Sequence, residues 1–91
     1  MIARHLEIAG RVQGVGYRDW LRNEAKLRGI SGWVRNRENG TVEAVVAGEA
    51  EAVAQIIEAC RNGPRWARVD EIVQAEAAPP DQLGFQKLPT V

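Results

Sequence analysis

An α+β fold with the element order βαββαβ is what this sequence predicts, and three observations carry the prediction. Apolar and polar residues alternate over the first dozen positions, the pattern of a strand with one buried face. Two later stretches, about 17–29 and 49–63, carry apolar residues at helical spacing and run into a glycine. Between them, Asn39-Gly40 separates two apolar runs, the strongest short signal for a β-hairpin.

The first strand spans about Ile2 to Val12, with Leu6, Ile8 and Val12 on one parity and His5, Glu7 and Arg11 on the other. Arg4 breaks the pattern near the chain start, where fraying costs little. After Gly14 and Gly16 a helix is expected. Tyr17, Trp20, Leu21, Ala25 and Leu27 form its apolar side, Arg18, Arg22 and Lys26 lie on another face, and Gly29 ends it. "ISGWVRN" is the second strand, "RENG" the turn and "TVEAVVAG" the third strand. The second helix covers Glu49 to Arg61, with Val53, Ile56, Ile57 and Cys60 inward, and Asn62-Gly63-Pro64 stops it. A fourth strand spans about Ala67 to Ala77. Pro79-Pro80 is a connector, and "GFQKL" supplies a candidate short fifth strand. With right-handed crossovers this order makes a ferredoxin-like sandwich: an antiparallel four-stranded sheet with two helices on one face. Strands one and two then run parallel with strand three between them. Their C-terminal ends lie at one sheet edge, roughly 10 Å apart at two strand spacings, so side chains from both can converge there.

Bulk properties narrow the function. The 91 residues suit one domain, 1–91, and the 45% hydrophobic content suffices for a core. Net charge is +0, which offers no case for nucleic acid or an acidic membrane as partner. The charge is unevenly spread: residues 1–37 hold eight Lys/Arg against three Asp/Glu, and residues 38–91 four against nine. The positive half contains the glycine loop. Cys60 is the single cysteine, and no Cys/His spacing resembles a zinc site. No apolar run reaches membrane-spanning length and no signal-peptide pattern opens the chain. The expectation is a cytoplasmic monomer.

The chemistry concentrates in "GRVQGVGYRDW", Gly10 to Trp20. Gly14 and Gly16 permit positive φ, so that successive backbone N–H groups can line an anion-binding nest. The helix that follows adds free N–H groups and partial positive charge. Arg18, in its first turn, offers a planar fork matched to phosphoryl oxygens. The loop is neither a dinucleotide fingerprint nor a Walker loop, since the third glycine and the Gly-Lys-Ser/Thr are missing. It also lacks the thiolate of a cysteine phosphatase: six residues before Arg18 stands Val12. Cys60 reads as core and His5 as a surface residue, so no nucleophile and no metal or other cofactor is foreseen. Such equipment suits an acyl phosphate, whose carboxylate leaving group has a pKa of roughly 4 to 5 and needs no general acid. Charge stabilisation and placement of a water remain to be supplied, and Asn36, at the end of the second strand, carries an amide that could hold the water.

"GRVQGVGYR" together with "GWVRNRENGTVE" resembles the acylphosphatase family, small enzymes that hydrolyse the carboxyl-phosphate bond, and the likeness extends over nearly the whole chain. The resemblance implies that Arg18 is the catalytic, phosphate-binding arginine, that Asn36 orients the nucleophilic water, and that the backbone of Gln13, Gly14, Val15, Gly16 and Tyr17 forms the phosphate cradle. It implies an acyl phosphate as substrate, inorganic phosphate as product, and no cofactor. Tyr17 stands where Phe is more usual, read as a packing swap with a wet hydroxyl. Asn39 replaces a common Asp in the turn, which turn chemistry tolerates. The tail "GFQKLPTV" lacks an aromatic ending. Trp20, Trp33 and Trp66 are read as packing residues, and Arg11, Arg35 and Arg37 as a solvated basic rim. Two rivals are weighed. RNA-recognition domains share the element order but stack bases on aromatics in strands one and three, and neither strand has one here. A non-hydrolytic domain that binds carbamoyl phosphate or another phosphorylated carboxylate is the alternative function.

Overall fold

Seven elements follow one another in the computed structural model, which describes residues 1–91: β1 (Ile2–Arg11), α1 (Tyr17–Leu27), β2 (Ser31–Asn36), β3 (Val42–Gly48), α2 (Ala50–Cys60), β4 (Arg68–Glu76) and β5 (Phe85–Lys87). The first six reproduce the expected order, with ends within one residue of those read from the sequence, the ordinary uncertainty of element boundaries. The sheet runs β4-β1-β3-β2-β5. Both β1 and β2 are antiparallel to β3, in registers that set Leu6 and Val34 on either side of Ala44. The two strands are therefore parallel to each other, as the crossover rule requires.

The antiparallel four-stranded sheet forms as expected. The candidate fifth strand also forms, and it pairs parallel to β2, so the five-stranded sheet as a whole is mixed. The reason lies in where β4 ends. Glu76 pairs with Arg4 near the start of β1, the same end of the sheet at which β2 begins. Residues 77–84 cross beneath that end, and about four strand spacings of 4.8 Å separate the two edges. Eight residues reach that far when extended. The chain then enters β5 travelling as β2 does.

Burial follows the two periodicities. Leu6, Ile8, Val34, Val42, Ala44 and Val46 supply the sheet side of a single core cluster, and Tyr17, Leu21, Ala25, Val53, Ile56, Ile57 and Cys60 the helix side. Burying each large aliphatic side chain contributes about 1.5–3 kcal/mol. Leu27, expected on the apolar side of α1, is instead 80% exposed. It is the last helical residue and sits about 200° round the helix from Ala25. Trp20 and Trp33 pack as expected, Trp20 against the core cluster and Trp33 under the Arg35 guanidinium on the open sheet face. Trp66 is 70% exposed and stacks only with Arg65.

Candidate active site

The cradle begins where β1 stops pairing. Val12 buries its side chain, and the backbone then curls through Gly14 at φ +74° and Gly16 at φ +80°. A residue with a β-carbon would lose roughly 1–2 kcal/mol in that left-handed conformation. Such a carbon would meet nothing within 4 Å at either position, so the dihedral demands glycine and the space above the loop is open. Gly16 is also the N-cap of α1 and has no side chain with which to cap it. The N–H groups of the first turn, which have no partner inside the helix, are left to face that space with the positive end of the helix dipole.

Arg18 leaves the same turn, half-buried. Most arginines of the chain are occupied: Arg22, Arg28, Arg35, Arg37, Arg61 and Arg68 each pair with a carboxylate. The Arg18 guanidinium makes no such pair and is free to take an anion. Asn36 is the last residue of β2, on the helix-facing parity of Val34, opposite Val42. Its backbone is held on the outer side by Val91, whose N–H donates to the Asn36 carbonyl at 3.1 Å. Its side-chain Oδ1 is buried and has no hydrogen-bond partner in the protein. A buried acceptor left in that state costs about 1–3 kcal/mol, a cost that a ligand or a bound water would relieve.

Gln13, Gly14, Gly16, Tyr17, Arg18 and Asn36 come together around one concavity of about 100 Å³. That is far smaller than the about 300–1,000 Å³ of a pocket that engulfs a drug-sized ligand. Val15 stands apart, its side chain packed against the core, so its backbone alone belongs to the loop. Two further residues at this concavity escaped the sequence reading. Asp19, in the first turn of α1, and Lys87, from β5, also line it and bond to each other at 2.9 Å. The hydrogen bond from Lys87 holds the Asp19 carboxyl below its ordinary range, with the charge of Lys87 and then of Arg22 adding to it. The one acid beside the cradle is thus offset by three cations, with Arg18 contributing the least. The available signal was parity: Lys87 shares a face with buried Phe85 across a strand the sequence marked only weakly.

Three other expectations change. The Tyr17 hydroxyl is not wet: the residue is 1% exposed and the hydroxyl donates to the Cys60 carbonyl at 2.6 Å. Burial, and after it the neighbouring Cys60, pushes the phenol above its ordinary pKa. Burial likewise pushes the Cys60 thiol up to about 12, which leaves it a core residue. Arg35 and Arg37 are not a solvated rim. Both donate to Glu43 Oε1, at 2.7 and 3.1 Å, while His5 Nε2 meets Glu43 Oε2 at 2.6 Å. His5 is therefore part of a half-buried cluster on the open sheet face. Burial alone would raise the Glu43 carboxyl. Hydrogen bonds from His5, Arg35 and Arg37 outweigh it and lower the pKa to about 2.

Comparison with known proteins agrees with this architecture. The acylphosphatase family model matches residues 4–87. An acylphosphatase of Azorhizobium caulinodans is 59% identical over 88 residues, covering 96% of this chain and 95% of the relative. One of Acidiphilium cryptum is 53% identical over 90 residues, covering 99% of each. The crystal structure of an acylphosphatase from Bacillus subtilis superposes with a TM-score of 0.91 at 34% identity, over 97% of this chain and 99% of that one. A free arginine and a glycine-curled loop at a helix N-terminus, set in this sheet order and matched at this level over this length, leave one conclusion: the chain belongs to the acylphosphatase family.

Proposed function

We propose that Arg18 and Asn36, with the backbone of Gln13 to Tyr17, carry the hydrolysis of acyl phosphates by this chain. The phosphoryl group sits in the cradle, its oxygens taking N–H donors from the loop and from the first turn of α1. The Arg18 fork binds two of those oxygens and stays bound as charge shifts toward the leaving carboxylate. Asn36 Oδ1 accepts a hydrogen bond from a water and aims its lone pair at phosphorus. The bond from water oxygen to phosphorus forms while the bond from phosphorus to the acyl oxygen breaks. That electron pair leaves on the carboxylate, and the water proton passes to phosphate or solvent. A carboxylate with a parent pKa of roughly 4 to 5 departs without protonation, so no general acid is required.

The observation that carries this reading is the buried, unpartnered Asn36 Oδ1 in the same concavity as a guanidinium with no carboxylate of its own. The test is a rate comparison between a simple acyl phosphate and an alkyl phosphomonoester. Turnover of the acyl phosphate with little of the monoester is expected, since the one ammonium at the concavity, Lys87, is bound to Asp19 and no other group there is set to protonate an alkoxide. Equal turnover of both would overturn the leaving-group argument. We further assign residues 1–91 to a single acylphosphatase-like domain working as a cytoplasmic monomer on small molecules, without nucleic acid or membrane as partner. A lone buried thiol suits a reducing compartment. The exposed large apolar residues Met1, Leu27, Trp66, Val73, Leu83 and Val91 are dispersed over separate segments.

A further inference from the structure

The Gln13 side chain does something that the cradle does not ask of it. Its backbone belongs to the phosphate loop, but its amide reaches away from it, across the end of β3 to the mouth of the β2–β3 hairpin. There Nε2 donates to the Arg37 carbonyl at 2.8 Å and to the Thr41 carbonyl at 2.8 Å. Arg37 follows Asn36 directly, and Thr41 precedes Val42, the residue paired with Asn36. The Thr41 carbonyl also accepts from the Arg37 N–H at 2.9 Å. A single amide nitrogen thus uses both of its protons to close the hairpin immediately behind Asn36. A hydroxyl has one proton to give and a carboxylate none.

We propose that Gln13 is a positioning residue that ties Asn36 to the phosphate cradle, and so sets the distance from the held water to phosphorus; this rests on the water-holding role of Asn36 argued above. The two halves of the site come from segments that are not neighbours in the sheet: the cradle follows β1, Asn36 ends β2, and β3 lies between. β2 ends at Asn36; beyond it the bonds from Arg37 N–H to the Thr41 carbonyl and from Gly40 N–H to the Arg37 carbonyl close the hairpin upon itself, and neither reaches the cradle. Gln13 supplies a direct link between the halves. Small errors in such a distance matter, because a misplacement of about 1 Å can cost 10²-fold in rate.

The test is a double-mutant cycle on the full chain, reading kcat on an acyl phosphate and the competitive inhibition constant of inorganic phosphate. Gln13→Met keeps length and removes both donors. Its kcat is expected to fall about tenfold or more, with the phosphate constant within about threefold of wild type, because the cradle N–H groups remain. In an Asn36→Ala background the same substitution is expected to change kcat by less than about twofold, since the residue it positions is gone. Equal loss in both backgrounds, or wild-type kcat for Gln13→Met, would overturn the proposal. Wild-type kcat for Asn36→Ala alone would instead overturn the role of Asn36, and this proposal with it. Gln13→Glu provides a second readout that a merely structural role would not move. As pH falls toward the glutamate pKa of about 4.3, its protonated carboxyl regains one donor. Its kcat, relative to that of Gln13→Met, is expected to rise; an unchanged ratio would count against positioning by donation.

Discussion

Replacing Asn36 by Ala separates water placement from phosphate binding, and the structure sets what each should cost. The Asn36 side chain makes no hydrogen bond to the protein and its Oδ1 is a buried orphan, so truncation breaks no internal bond. The water that Oδ1 holds returns to solvent when the acceptor is removed, so the melting temperature should change little. Phosphate binding should survive, because the cradle N–H groups and the Arg18 fork are untouched; an inhibition constant within about threefold of wild type is expected. Turnover should not survive. Loss of one preorganised polar partner costs about 10²–10³ in kcat, or about 2.7–4 kcal/mol. Steady-state hydrolysis of an acyl phosphate, inhibition by inorganic phosphate and a thermal melt on the one variant give all three quantities. The opposite pattern, a lower melting temperature with near-normal kcat, would show that Asn36 serves only to finish β2 and would refute the reasoning.

Arg18→Ala should weaken both phosphate binding and turnover, and Arg18→Lys should recover little, because a point charge does not reproduce the bidentate fork; a Lys variant at wild-type kcat/KM would show that charge suffices. Saturating phosphate should raise the wild-type melting temperature, by about 2.7 kcal/mol of stability at 100 times Kd, and should do less for Arg18→Ala; equal shifts would remove Arg18 from the anion site. Glu43, lowered from 4.5 to about 2, contributes stability that is present above pH 4.5 and lost as pH falls from there toward about 2. Denaturant midpoints across that window should therefore fall less steeply for Glu43→Gln, and parallel curves would refute the ion cluster as a stabiliser. Tyr17→Phe removes the bond to the Cys60 carbonyl, worth about 1 kcal/mol, and should lower the melting temperature by about 4–8 °C; an unchanged melt would make that bond energetically idle. A chelator should leave the rate unchanged, because the groups that Arg18, Asn36 and the cradle present to the phosphoryl are not a metal's ligand set; loss restored by added metal would contradict this.

The Glu43 cluster and the Gln13 amide hold the same short segment from different sides. Arg35 and Arg37, which flank Asn36, are drawn to one carboxylate oxygen on the open sheet face. Gln13 takes the carbonyl of Arg37 from the loop side. Asn36 therefore stands on a backbone restrained at both of its neighbours, which suits the water-holding role proposed for it.

Much of this protein was written in local chemistry. Period-two alternation in β1, the helical stripe of Val53, Ile56, Ile57 and Cys60, and Asn39-Gly40 each act within a few residues of themselves. The sequence therefore determined the elements, their order and, through the handedness of crossovers, the sheet neighbours of β1, β2 and β3. Gly14, Gly16 and Arg18 were legible for the same reason, since a left-handed turn into a helix N-terminus is a local event. The tertiary structure alone decided what depends on distance along the chain. The direction of β5 follows from which end of the sheet β4 leaves, and its parity brought Lys87 to Asp19. The Tyr17 hydroxyl found a carbonyl 43 residues away, so a side chain read as wet became the most deeply tied of the loop. Arg35 and Arg37 look like free cations in sequence because nothing local neutralises them; β3 register sets Glu43 opposite Arg35. Gln13 shows the same division within one residue. Its backbone role follows from the glycines beside it, whereas its amide meets Arg37 and Thr41 only because β3 carries the hairpin mouth within reach of the loop.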